Sequence, residues 1–191
     1  MEQQRNGEII YDKNVIEFVA VSVEFCALLE SEDQLPRPQW IDNMLKLLPL
    51  LYLKASMLPE VSEVYEEAPS TFVKEADYTR VAHKVSEVLG EDDTYLDVFK
   101  KEMEYSDRPL LSYISEDIAD IYQDVRNFIS IYQFELTEQM LGALYICREN
   151  FITFWGQKLV NVLRPLHSLK VKNSDIYGSD EEYFNREEMW D

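Results

Sequence analysis

The stretch SEDIADIYQDVRNFISIYQF, residues 115–134, carries the strongest amphipathic helix pattern in this sequence. At roughly 100° per residue its apolar side chains share one arc of the helical wheel, and its carboxylates and amides share the other. Ser115 stands where an N-cap hydroxyl would accept a bond from a first-turn N–H. The pattern predicts a helix over about 113–134 with one face in a core. The apolar arc consists of Ile118, Ile121, Tyr122, Val125, Phe128, Ile129 and Tyr132.

The same helix carries four carboxylates, and two hypotheses account for them. Glu116, Asp120 and Asp124 are spaced by four residues, with Asp117 beside them. Such a ladder could hold Mg²⁺ or Mn²⁺ through oxygen ligands. Metal-binding bundles, however, aim carboxylates inward and add Glu-x-x-His pairs, whereas these lie opposite the apolar arc and neither histidine has a Glu three residues before it. We therefore expect a solvated outer stripe rather than a metal site.

Composition and charge narrow the class of protein. The chain has only 5 glycines and 7 prolines in 191 residues, which supplies few of the turns of an all-β fold and favours one helical domain. The formal net charge is −19. No cluster of Lys and Arg offers phosphate neutralisation, so neither nucleic acid nor an anionic membrane surface is an expected partner. A charge of this sign keeps a protein soluble, and it would also favour a basic partner.

The cysteines and the hydropathy pattern indicate a cytoplasmic protein. Cys26 and Cys147 lie in apolar helical stretches and make neither a disulfide framework nor a zinc site. Buried free thiols of this kind suit a reducing compartment. The first ten residues lack the basic start and apolar run of a signal peptide. The longest apolar stretch, near 47–53, is far too short to span a bilayer.

Two apolar helices are predicted in the first third of the chain. Asp12 or Asn14 can cap a first helix that runs to about Glu32. A second helix is expected over about 39–57, with Pro49 in its middle. Because proline removes a backbone hydrogen bond and clashes with the preceding turn, a kink or a split is expected there.

The middle of the chain is less regular. A third helix over about 76–89 should end at Gly90 in a left-handed C-cap, and His83 on it is expected to be a surface or hydrogen-bonded residue rather than a ligand. The acidic cluster that follows leads into a short helix from Tyr95, and then into a loop over 102–109.

The last predicted helix is the longest. It begins near Thr137, keeps helical spacing to about residue 167, and is bent or ended by Pro165. A link of two or three residues after the central helix makes the pair a helical hairpin. Gly142 and Gly156 lie on nearly one face, where they could let another helix or a second subunit approach closely, or could merely be tolerated.

The tail from about residue 172 is acidic and carries four aromatic side chains. Such a segment is either disordered or docked by its aromatics into a groove on its own or another chain. The aromatics are Tyr177, Tyr183, Phe184 and Trp190.

Sequence motifs for most enzyme classes are missing. There is no Gly-rich phosphate loop, no G-x-S-x-G elbow and no H-E-x-x-H, and the two histidines, His83 and His167, stand in ordinary settings. A metal-dependent hydrolase of the all-helical nucleotide pyrophosphatase type stays open, because other carboxylates besides the 116–124 ladder could supply ligands, although no pair of elements reproduces the Glu-x-x-Glu pairs on facing helices of that type. These carboxylates are Glu63, Glu66, Glu67, Glu135 and Glu138.

Three stretches of the chain resemble a known family. SEDIADIYQD at 115–124, LPLLYLKASMLPE at 48–60 and KNVIEFVAVSVEFC at 13–26 are similar to an all-helical bacterial family catalogued as a domain of unknown function. The resemblance covers the chain to about residue 170. It implies an all-α fold in a cytosolic bacterial protein, and it transfers no catalytic residue.

These observations together predict an all-α protein, an irregular bundle of five to seven helices around a long C-terminal helical hairpin over 113–167. The domain is expected over 1–170, with an acidic-aromatic tail over 171–191. Two functions are compared: a non-catalytic interaction or adaptor module, with a protein partner or a homodimer, and the metal-dependent hydrolase. The first is preferred, and no catalytic residue, metal or cofactor is assigned.

Overall fold

The structure is a computed structural model. It describes residues 9–33, 35–61, 68–97 and 110–187, and at 137–138 and 173–187 it describes the backbone alone. The predicted all-α bundle is confirmed, with one small hairpin added to it. In chain order the elements are α1 (Lys13–Glu30), α2 (Arg37–Ser56), α3 (Glu75–Leu89), β1 (Thr94–Asp97), β2 (Leu110–Tyr113), α4 (Ile114–Gln133), α5 (Thr137–Asn150) and α6 (Gly156–Glu187).

The first two helices form much as the sequence predicts. Asp12 caps α1, since its Oδ1 accepts a hydrogen bond from the N–H of Asn14 at 2.8 Å. Of the kink or split predicted at Pro49, the kink stays a prediction and the split is wrong, because α2 is one unbroken helix from Arg37 to Ser56. Its buried side chains on both sides of the proline hold the two halves in one element.

The chain leaves α3 through a residue that has to be glycine. Gly90 has φ 58° and ψ −129°, so its φ is positive, but its ψ lies outside the left-handed helical region and the predicted left-handed C-cap is wrong. Side chains rarely tolerate this conformation. A short 3₁₀ turn over Gly90–Asp93 then leads directly into β1.

The predicted short helix from Tyr95 is wrong. Thr94–Asp97 is a strand that pairs antiparallel with Leu110–Tyr113, with Leu96 opposite Leu111. Its side chains alternate between exposed and inward positions, and Asp97 is buried. Four residues are too few for periodicity to separate helix from strand. The predicted loop over 102–109 lies outside the described residues.

Helix α4 is the centre of the bundle, as predicted. It packs against α1, α3, α5 and α6, and therefore has neighbours on several sides. Phe128 on α4 lies 5.3 Å from Phe18 of α1, between ring centroids, and Phe18 also stacks on Trp155 at 6.4 Å. These rings are all buried. Cys26 and Cys147 are buried free thiols, as predicted.

The long C-terminal helix contains a π turn that the sequence reasoning did not predict. Residues Phe151–Trp155 form this turn, which joins α5 and α6 without a break. The N–H of Gly156 donates to the carbonyl of Phe151, and a Cβ at Gly156 would lie 2.3 Å from that oxygen. Gly156 is therefore required by the π turn, a role that neither of the two alternatives left open for it, close approach of another helix or mere tolerance, had included.

The link from Phe134 to Leu136 makes α4 and α5 the predicted helical hairpin. The predicted helix end near residue 167 is wrong, because α6 continues through Pro165 to Glu187. Docking of the tail's aromatic side chains lies outside the described side chains, and the division at residue 170 stays a prediction. No helix in the described ranges combines the length and the apolarity that crossing a bilayer requires.

Candidate functional site

Two of the four carboxylates proposed from the sequence hold a lysine. Lys158 of α6 places its Nζ 2.6 Å from Asp117 Oδ1 and 2.8 Å from Asp120 Oδ2. The ring of Phe154 lies 5.1 Å from the same ammonium group. Asp117 is only 5 % exposed, so its predicted place in a solvated stripe is wrong. A helical wheel gives the angle of Asp117 but not the neighbours that cover α4.

The other two carboxylates differ from each other. Asp124 accepts a hydrogen bond from Asn150 Nδ2 at 2.6 Å. Burial raises the pKa of Asp124, and the bond from Asn150 partly opposes that rise. Glu116 is exposed, as expected of an outer position. The predicted outer stripe is thus partly covered by α5 and α6.

This geometry gives Asp117 and Asp120 an ammonium group as their counter-ion, at the position between them that a bridging cation would take. Among the described residues, no group of three or more His, Cys, Asp and Glu side chains is placed so that it could hold a metal ion. Glu63, Glu66 and Glu67 lie outside the described residues, and so does the side chain of Glu138. Glu135 is exposed, in the link between α4 and α5 at φ 53°.

The inward side of β1 and the residue before it are tied to α4 and α6 by polar contacts. Asp93 accepts two hydrogen bonds from Ser115, from the backbone N–H at 2.8 Å and from the hydroxyl at 2.6 Å. Ser115 therefore lies inside α4 and is not its N-cap, which corrects the prediction. Tyr95 donates its hydroxyl to Asp117, and burial together with this bond raises the pKa of Tyr95. These contacts fix the position of the strand.

A groove of about 1020 Å³ lies between β1 and α6. All four residues of β1 line it, together with one stripe of α6 from Gln157 to Lys172, and no residue of β2 does. Because side chains alternate between the two faces of a strand, four successive residues can share a groove only along the strand's edge. The groove therefore follows the edge of β1 that faces away from β2.

The groove combines apolar surface with charges of both signs. Its two carboxylates already have polar partners, because Asp92 pairs with Arg37 and Asp97 accepts a hydrogen bond from Asn161 of α6. Leu96 is 60 % exposed and Val160 is 45 % exposed. Among the Lys and Arg side chains that the structure describes, Arg164 and Lys172 are those with neither an ion pair nor a side-chain hydrogen bond. Both line this groove. In a chain of net charge −19, this placement makes the groove the clearest binding surface.

Sequence reasoning missed this groove, because Leu96 and Arg164 come together only through the packing of the hairpin against α6. The histidines add no chemistry to it. His83 is exposed beside Glu87, with Nδ1 3.5 Å from the carboxylate, which agrees with its predicted surface role. His167 is exposed on α6 and is not among the groove residues.

Comparison with known proteins places the chain in a family. The family described as "Domain of unknown function (DUF5063)" matches residues 9–172. The chain is also similar to the crystal structure of protein BF1032 from Bacteroides fragilis, at 47 % identity and a TM-score of 0.76, over 85 % of this chain and 95 % of that one. No curated protein matches.

Proposed function

We propose that this chain, which belongs to the DUF5063 family of domains of unknown function, is a non-catalytic interaction module. Its groove between β1 and α6 takes a segment of a partner protein that carries carboxylates and apolar side chains. The interaction belongs in the cytoplasm, since Cys26 and Cys147 are buried free thiols of the kind that a reducing compartment preserves.

One observation carries this proposal, the unpaired charge of the groove. The other described Lys and Arg side chains of this acidic protein are bonded to carboxylates or to backbone carbonyls. Arg164 and Lys172 lie eight positions apart on α6, which is about 12 Å along a helix. Two exposed cations at this spacing favour a partner with two carboxylates, and complementary charge speeds and orders such an encounter.

The apolar side chains beside these cations indicate a protein segment rather than a small anion. Leu96 and Val160 are about half exposed on the groove walls, and apolar anchors of a partner would cover them. Nucleic acid offers negative charge as well, but the net charge of −19 repels a polyanion over the rest of the surface.

The hydrolase hypothesis stays an untested prediction, and no described contact favours it over the interaction module. Its best candidates, Asp117 and Asp120, are bonded to Lys158. A hydrolase would have to displace that lysine before a metal could bridge the two carboxylates.

The test is a selection of displayed heptapeptides on the full chain. Enriched peptides are then measured by fluorescence anisotropy against the wild type, against Arg164→Glu/Lys172→Glu, and against a control, Lys13→Glu/Lys46→Glu. The control changes the net charge equally at side chains that are 84 % and 70 % exposed outside the groove. We expect acidic peptides with apolar residues, bound roughly tenfold more weakly by the groove variant and unchanged by the control.

Three results would count against this function. Enrichment of basic peptides, or equal binding to the groove variant, would remove the groove as an acidic-segment site. Insensitivity to salt would be inconsistent with exposed charges. A dimer in light scattering that Arg164→Glu/Lys172→Glu abolishes would make the occupant a second copy of the chain, and would overturn the proposal of a separate partner.

A further inference from the structure

We infer that the groove binds its partner segment as a third strand, paired in extended conformation with the edge of β1 that faces away from β2. This inference rests on the proposed function and adds the conformation and the side-chain pattern of the segment. It begins from the backbone, because the groove follows the edge of β1 that faces away from β2. Among the described residues, β2 is the one strand that pairs with β1.

An edge strand presents N–H and C=O groups in a row, which is the template for strand addition. In an antiparallel pair, half of the backbone groups of β1 point towards β2 and the other half point outwards. The outward half faces the groove. The bonds of Asp93 to Ser115 and of Tyr95 to Asp117 hold β1 in place. The edge is therefore ordered before a partner arrives, which lowers the entropic cost of pairing.

The charges set one row of side chains in the added strand. Tyr95 points inward, towards Asp117 of α4. Side chains on the same inward face of an added strand would point to the α6 wall of the groove. Arg164 and Lys172 are about 12 Å apart along α6. Residues i and i+4 of a strand lie on one face about 13 Å apart. Carboxylates at i and i+4 would then match the two cations.

The outer face of the hairpin sets the other row. Leu96 and Leu111 lie opposite each other on that face, 60 % and 56 % exposed, and Tyr113 beside them is 41 % exposed. An added strand would place its residues i+1 and i+3 next to Leu96, where apolar cross-strand neighbours are favourable. The segment that fits is acidic, apolar, small, apolar, acidic.

Alternating N-methylation provides the test. The probe is the peptide Glu-Val-Ser-Val-Glu, capped at both ends and titrated into the ¹⁵N-labelled full chain. Two further peptides carry N-methyl groups either on both valines or on the serine and the first glutamate. Successive N–H groups of a strand point to opposite edges. One methylated peptide should therefore bind about as well as the parent, and the other roughly thirtyfold more weakly, because it loses two backbone hydrogen bonds.

The outcomes separate this inference from the function on which it rests. Strand addition is supported if one methylated peptide binds about as well as the parent and the other binds much more weakly, together with slower amide exchange in β1. Binding that needs Arg164 and Lys172 but responds equally to both methylated peptides overturns strand addition and leaves the acidic-segment groove standing. The strand inference is overturned if millimolar peptide leaves the β1 resonances unshifted. The selection of displayed heptapeptides tests the proposed function independently.

Discussion

Replacing Lys158 by methionine should destabilise the fold by about 2–3 kcal/mol at neutral pH. Methionine keeps the length of the side chain and its packing on Phe154, but removes the ammonium group that Asp117 and Asp120 share. The change therefore isolates the charge that joins α6 to α4.

The magnitude follows from how deeply the three charges lie. Removing one member of a fully buried ion pair costs about 3–5 kcal/mol, because the other charge stays buried without a partner. Here the side chain of Asp117 is 8 % exposed, but those of Lys158 and Asp120 are 24 % and 23 % exposed. Water screens part of the charge, which lowers the expected value. For a chain of this size the loss corresponds to roughly 4–12 °C in Tm.

Urea unfolding followed by circular dichroism measures this change. The control is Lys13→Met, which removes a lysine whose side chain is 84 % exposed and should leave the midpoint unchanged. Adding Asp117→Asn to Lys158→Met should recover part of the stability, because the uncompensated charge is gone. If Lys158→Met unfolds at the same midpoint as Lys13→Met, the bridge between α4 and α6 does not stabilise the fold.

The same variant has a pH signature. Burial lowers the pKa of Lys158, but its hydrogen bonds to Asp117 and Asp120 outweigh burial and raise it above the ordinary 10.5. A pKa that is higher in the folded chain gives stability that is complete below about pH 10.5 and is lost as the pH rises through the folded value. On the alkaline side of neutral pH, the difference between wild type and Lys158→Met should therefore shrink only above that pH. A difference that shrinks between pH 7 and 9 would contradict this assignment.

Three further predictions concern packing and burial. Gly156→Ala should lower the free energy of unfolding, measured by calorimetry, by about 1–3 kcal/mol, because its Cβ would lie 2.3 Å from the carbonyl oxygen of Phe151. An unchanged Tm would refute the role of Gly156 in the π turn. Asn127→Ala should lower the free energy of unfolding by about 1–3 kcal/mol and speed amide exchange in the loop before α3. The reason is that Asn127 Oδ1 accepts hydrogen bonds from the N–H groups of Phe72 and Val73 at 2.7 and 2.9 Å. Unchanged exchange would contradict this role. Burial raises the thiol pKa values of Cys26 and Cys147, so both should resist a disulfide reagent at pH 8 until urea unfolds the chain; prompt labelling would show that they are accessible.

The helices were largely predictable because their sequence signals are local and long. The apolar arc of α4 extends over several turns, and the cap at Asp12 and the positive φ of Gly90 follow from single residues. Each of these depends on the residue itself and its near neighbours. That is why the bundle and its central helix could be predicted.

The candidate site was not predictable in the same way, because it consists of distant pairs. A wheel places Asp117 on the polar arc, yet Lys158 lies 41 positions later and covers it. Strand β1 has only four residues, and its partner begins 13 positions after it ends. Which cations lack a carboxylate partner can be known only when all the contacts are known. The groove between β1 and α6 is therefore a property of the packing.

The π turn at 151–155 sets the rotational phase of everything that follows it. Cys147, Phe151, Trp155 and Leu159 are buried at steps of four, and three such steps drift by about 120° on an ordinary α-helix. The extra residue in the turn takes up about 100° of that drift. If the turn became α-helical at the same chain length, Lys158 would swing off Asp117 and the groove face of α6 would turn from β1. A deletion of one residue within the turn would instead leave Lys158 directed at Asp117 and the groove face of α6 directed at β1.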